Sequence, residues 1–135
     1  MNLYITKGGK EVQGFQSIAV DGGKCNFENI PNNSCSQIII QDAVEYIDNL
    51  EEFYKQIHSL IRKNGTLRVY GLDLRSVCLA YVTGDIDTKN FASLTEGMKT
   101  IVSLQDWTVI LQGSGLQIER CNVDNNMYEL IASRV

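Results

Sequence analysis

The sequence predicts an α/β fold: a mainly parallel sheet with an antiparallel hairpin at its carboxyl end. Three observations carry that reading. The run CSQIIIQ (35–41) is short, rich in Ile and apolar on both faces, which is the pattern of a strand covered on both sides. An amphipathic helical stretch follows it and stops at Asn64-Gly65, directly before a second strand-like run, TLRVYGLDL (66–74). Finally, LQIERCNVDNNMYELIASRV (116–135) places two strand patterns on either side of a DNN turn, the signature of a hairpin.

Taken in chain order, NLYIT (2–6) reads as a first strand, Lys7 to Gln13 as a loop, and FQSIAVD (15–21) as a second strand. CNFENIPNN (25–33) is mostly irregular: Pro31 biases Ile30 to an extended conformation and Asn32-Asn33 suits a turn. After the Ile-rich strand, Asp48 or Asn49 caps a helix whose first turn holds Glu51 and Glu52. Leu50, Phe53, Ile57, Leu60 and Ile61 form its apolar stripe, with Arg62 and Lys63 in the last turn. Beyond the strand at 66–74, SVCLAYV (76–82) reads as a helix, TGDIDTKN (83–90) as a turn or new cap, and FASLTEGM (91–98) as another short helix. Ser103 with Asp106 forms a capping box for a helix through Trp107 and Leu111 to Gly113.

Composition narrows the function classes. With 135 residues, 44% apolar and 21% charged, the chain is read as one globular domain over 1–135. The formal charge of −4, with no basic run, argues against nucleic acid as a partner. No apolar run reaches the roughly 18 residues a membrane span requires, and no basic-then-apolar leader opens the chain. The expectation is a cytoplasmic protein with no membrane partner. Cys25, Cys35, Cys78 and Cys121 are too scattered for CxxC-type metal ligation and are expected as reduced thiols. One histidine, His58, on the edge of a helix stripe, builds no Ser-His-Asp set and no metal cluster.

The stretch LYITKGGKEVQGFQSIAVD (3–21) has the outline of a nucleotide-cofactor loop: apolar run, Gly pair, second apolar run, closing Asp. Each of its residues has a plainer reading as well. Asp21 serves equally as a strand-end turn residue before Gly22-Gly23, and Gly8-Gly9 as a tight turn. Asp42 and Glu45 read as solvated helix-cap acids, and Tyr4, Tyr46, Tyr70 and Tyr81 as packing residues.

The succession of elements is similar to the class I S-adenosylmethionine-dependent methyltransferases, with their Rossmann-like sheet, and several motifs resemble one short subfamily. TKGGKEVQGFQSIAVD resembles its loop GCGxxxxxGFxNVD in the Gly14-Phe15 step and its spacing from Gly8. QDAVEYIDNLEEFYKQIHSLIRKNG resembles the segment with a Glu-His pair, here Glu45-Tyr46. GTLRVYGLDL resembles the fifth strand after a Gly-Gly turn, here Asn64-Gly65. LDLRSVCLAYVTGDID is similar to a Pro-Asp-Leu stretch, here with Asp73, Leu74, Tyr81 and Gly84, and LQDWTVILQGSGLQIERC to the last helix and sixth strand. The resemblance covers nearly the whole chain, and its weight lies in the succession of matches.

The resemblance implies S-adenosylmethionine as cofactor, with Thr6, Gly8, Gly9, Asp21, Asn26, Ile30 and Gln41 at the cofactor-binding positions. Glycines there admit the ligand to the backbone, and an acid after the second strand receives the ribose hydroxyls. Asp21 keeps that acid, and Gly8 falls on the last glycine of the loop. Ile30 suits an adenine wall. The departures are Thr6 for the first glycine, Lys7 for the Cys beside it, Asn26 for an adenine-binding Asp, Ser36 for an Asp, Tyr46 for a His and Leu72 for a Pro. They describe a degenerate cofactor loop on a retained core pattern. Three readings stay open: a methyltransferase acting on a small-molecule or sugar-like acceptor, a catalytically inactive binding or assembly module, and a domain for another adenine nucleotide with Lys7 or Lys10 on a phosphate. No catalytic base is assigned. A terminal hairpin at the sheet edge also allows a homodimer.

Overall fold

The computed structural model describes residues 1–100 and 104–135. Its order is β1 (Asn2–Thr6), β2 (Gln16–Ala19), β3 (Cys35–Gln41), a 3-10 turn (Val44–Tyr46), α1 (Leu50–Leu60), β4 (Ile61–Leu72), α2 (Leu74–Val82), α3 (Thr88–Thr95), α4 (Leu104–Gln112), β5 (Leu116–Asp124) and β6 (Met127–Arg134). The strands form one six-stranded sheet in the order β2-β1-β3-β4-β6-β5. β2, β1, β3 and β4 run parallel, and β6 returns antiparallel to β4 and pairs with β5. The α/β class, the mainly parallel sheet and the terminal hairpin are as the sequence predicts. Residues 25–33 add no strand, so the Ile-rich run is third in the chain. The capping box at Ser103 lies outside the described residues.

The hairpin closes on Asn125 and Asn126, both with positive φ (50° and 65°), the backbone of a two-residue type I′ turn. Two other local expectations are corrected. The helix after β3 ends at Leu60 instead of running through Arg62 and Lys63. Its last carbonyls are taken by distant groups: Asn33 N–H donates to Ser59 O at 2.9 Å, and Arg134 Nη1 donates to His58 O at 3.1 Å and Ile61 O at 2.7 Å. Ile61 then pairs with Cys35, and the chain bulges before Thr66 resumes the ladder opposite Gln37.

The second correction concerns coverage of the sheet. Leu3, Ile5, Ile38, Ile40, Leu67, Val69, Leu130 and Ala132 are fully buried on one face, together with Phe53, Tyr54 and Ile57 of α1 and Trp107 and Leu111 of α4. The alternate residues are not. Tyr4, Ile39, Tyr70 and Ile131 are only partly buried, and Arg68, in register between Ile39 and Ile131, is exposed. β1 reaches β2 through a loop, where a helix would have covered that face. Among the described residues, no helix is long and apolar enough to cross a membrane.

Candidate functional site

The carboxyl ends of the parallel strands are aligned, since Thr6 closes β1 in register with Ala19 of β2 and Gln41 of β3. The chains leaving β1 and β3 then diverge. Asp42 takes φ 51° and donates its N–H to Tyr70 O at 2.9 Å, which turns the backbone away from the strand axis. Between the two exits lies an open cleft of about 330 Å³, lined by Thr6, Lys7, Gly8, Lys10, Gln41 and Asp42. A cleft between diverging loops at the carboxyl edge of a parallel sheet is where α/β proteins place ligands, and this one is within the roughly 300–1,000 Å³ range of small-molecule sites.

The wall after β1 is pinned by its own side chains. Thr6 Oγ1 accepts the Lys10 N–H at 2.8 Å, and Ser17 Oγ donates to Lys10 O at 2.7 Å. Gly9, at φ 70°, packs so closely on Ala19 that a Cβ would sit 3.1 Å from the Ala19 methyl. At Gly8 a Cβ would meet nothing within 4 Å, so this glycine faces free space. Lys7 reaches across to the turn after β3 and places its ammonium 4.1 Å from the centre of the Tyr46 ring. On the opposite wall, the Tyr4 hydroxyl donates to Gln41 Oε1. Burial holds the Asp42 carboxyl above its usual pKa.

Of the residues at the expected cofactor positions, the structure brings Thr6, Gly8 and Gln41 together in the cleft, with Gly9 behind them. Asp21, Asn26 and Ile30 do not line it. Asp21 and Lys24 exchange both backbone hydrogen bonds, at 2.8 and 3.1 Å, around Gly22 and Gly23 at φ 58° and 80°. The Asp21 carboxylate on this turn is exposed. Asn26 Oδ1 accepts the Glu28 N–H at 3.0 Å, an Asx turn that occupies the acceptor. Ile30 is 6% exposed and part of the core. Beside this segment, between Gly23, Cys25 and α1, is a hollow of only about 70 Å³. Asp48 lies over Gly23, where a Cβ would come within 2.3 Å of its carboxylate, and Lys99 Nζ is 3.2 Å from Asp48 Oδ1.

Glu45 is not the solvated cap acid its sequence position suggests. It is 3% exposed, and its Oε1 accepts the Leu72 N–H at 3.2 Å. Gly71 makes room for it: a Cβ there would lie 2.4 Å from Glu45 Oε1 and 2.7 Å from the Tyr128 hydroxyl. Burial, opposed by hydrogen bonds from the backbone N–H groups of Glu45 itself and Leu72 and assisted by the charge of Asp42, raises its pKa to about 6. Its carbonyl also accepts the N–H groups of Lys99 and Thr100, at 2.7 and 2.9 Å, tying residues 99 and 100 to the turn after β3. A lone glycine inside TLRVYGLDL is the sequence signal for this buried acid. Among the described residues, no group of three or more His, Cys, Asp and Glu side chains is placed to hold a metal ion.

Comparison of the sequence with protein-family models and with curated proteins finds no match. Solved structures do match. An S-adenosylmethionine-dependent methyltransferase from Aquifex aeolicus superposes with a TM-score of 0.67 at 11% identity, over 100% of this chain and 82% of that one. A chain of a Haloferax volcanii complex containing the Trm112 methyltransferase activator gives 0.67 at 7% identity, over 98% and 81%. A methyltransferase from Mesorhizobium loti gives 0.64 at 15% identity, over 94% and 73%. Against other solved proteins of this fold, the chain spans from 33% to 64% of the neighbour's length. Identities this low speak for the fold alone. The chain has the fold of the S-adenosylmethionine-dependent methyltransferases.

Proposed function

We propose that the chain is a methyltransferase-fold binding module that does not transfer methyl groups. The observation that carries this reading is the Lys7 side chain lying on Tyr46, which bridges the loop after β1 and the turn after β3. Methyl transfer depends on holding two reactants in line between those loops. Here the gap is spanned by a cation, and a sulfonium ligand brings a second positive charge to it. The hollow beside Cys25, at about 70 Å³, lies well below the roughly 300 Å³ of a small-molecule site. Asn26, expected on the adenine, is engaged in its own turn.

The alternative, methyl transfer to a small-molecule or sugar-like acceptor, is favoured by the exposed Asp21 carboxylate and the open cleft. Calorimetric titration with S-adenosylmethionine and S-adenosylhomocysteine separates the two. The module reading expects no heat at ~100 µM protein, corresponding to a Kd weaker than about 1 mM. Saturable heat that disappears in Asp21→Ala would replace it with the enzymatic reading.

A further inference from the structure

The polar groups of the cleft are divided unevenly. Its neutral side-chain acceptors are engaged within the chain: Thr6 Oγ1 takes the Lys10 N–H, and Gln41 Oε1 takes the Tyr4 hydroxyl. Its donors are not. Among the described residues, the Thr6 O–H, the Gln41 amide nitrogen and the Gly8 N–H have no acceptor, and Lys7 and Lys10 form no ion pair. Gly8 faces free space, so a ligand can reach its N–H without meeting a side chain. A wall of free donors and two ammonium groups is matched by an anion rich in acceptor oxygens. Asp42 is the one carboxylate of the lining and offers acceptors on the opposite side.

We propose that this cleft takes a phosphorylated, hydroxyl-bearing small molecule. Its phosphate sits among Lys7, Lys10, the Thr6 hydroxyl and the Gly8 N–H, and a sugar hydroxyl donates to Asp42. Lys7 leaves Tyr46 to reach the phosphate, exchanging an exposed cation–π contact for a stronger charge-assisted hydrogen bond. Thr6 and Lys7, which depart from the family loop, are among the groups that would meet the anion. The inference rests on the reading of the chain as a binding module, and it names that module's ligand class. Sugar phosphates and nucleoside phosphates share this chemistry.

The test is calorimetric titration with ribose 5-phosphate, ribose, AMP and adenosine at low and high salt. Both phosphorylated compounds are expected to bind about tenfold or more tightly than their unphosphorylated counterparts, and to weaken as salt rises. Lys7→Ala and Lys10→Ala should each remove most of that difference. Both lysines are exposed, and circular dichroism verifies that the variants fold. AMP binding more tightly than ribose 5-phosphate marks a nucleotide site, and equal affinities mark a sugar-phosphate site. No heat with millimolar phosphorylated ligand, equal binding of phosphorylated and plain compounds, or indifference to both lysine substitutions overturns the proposal. These failures leave the module reading standing, whereas Asp21-dependent heat with S-adenosylmethionine removes that reading itself.

Discussion

Glu45 supplies a stability measurement whose sign and size follow from its position. The carboxyl is buried under Gly71 and its pKa is raised from 4.5 to about 6, because burial opposes the charged form. A raised carboxyl pKa means that the folded state holds the proton more tightly than the unfolded chain. The resulting stabilisation is complete below pH 4.5 and is lost as pH rises through about 6. The full span is about 1.5 pH units at 1.36 kcal/mol each, or about 2 kcal/mol. Glu45→Gln keeps an oxygen for the Leu72 N–H and removes the titration. Other groups are shifted as well: Asp42 is raised by burial, and His58 is lowered by burial and by Arg134. The quantity to follow is therefore the difference between wild type and Glu45→Gln in urea unfolding from pH 4 to 7.5. With m near 1–3 kcal/mol per molar urea, the wild-type midpoint should fall by about 1 M relative to the variant. A difference that is flat or rising with pH would refute the argument.

Two further predictions follow from backbone positions. Gly71→Ala drives a methyl against Glu45 Oε1 and Tyr128 Oη, and should cost about 1–3 kcal/mol in urea unfolding as an overpacked core does. Asn126→Val places a β-branched residue at φ 65° in the hairpin turn, and should cost about 1–2 kcal/mol by thermal or urea unfolding.

The fold was legible where the pattern is local or short-range. NLYIT, CSQIIIQ and the DNN hairpin became β1, β3 and the β5-β6 pair, and Asp73, which follows the Gly71-Leu72 pair, caps α2 through the Ser76 N–H at 3.1 Å. What failed depends on groups distant in sequence. No window around Leu60 shows that Asn33 and Arg134 take the last carbonyls of α1 and end it early. Ile39 between two other isoleucines looks doubly covered, and only the helix-free passage from β1 to β2 shows that it is not. Of the residues the family resemblance singles out, Thr6, Gly8 and Gln41 line the cleft, whereas Asp21, Asn26 and Ile30 do not. The burial of Glu45 was not legible, because a solvated cap and a buried acid look alike until Gly71 is opposite.

The distribution of burial also separates the residues that hold the fold from those that line the cleft. Leu3, Ile5, Ile38 and Ile40 are wholly buried, so altering any of them opens a cavity or strains the core. Thr6, Lys7, Gly8 and Gln41 stand at the ends of those same strands but lie at or near the surface, where substitutions cost little stability. Folding stability therefore constrains the first set far more than the second. Glu45 links the two sets: its carboxyl supports the end of β4, its carbonyl holds residues 99 and 100, and its neighbour Tyr46 carries Lys7. A change in its protonation would reach the cleft through that one turn. If ligand affinity is measured across the same pH range as stability, Glu45→Gln should alter the pH profile of phosphate binding without removing binding. Lys7→Ala should lower the affinity at every pH.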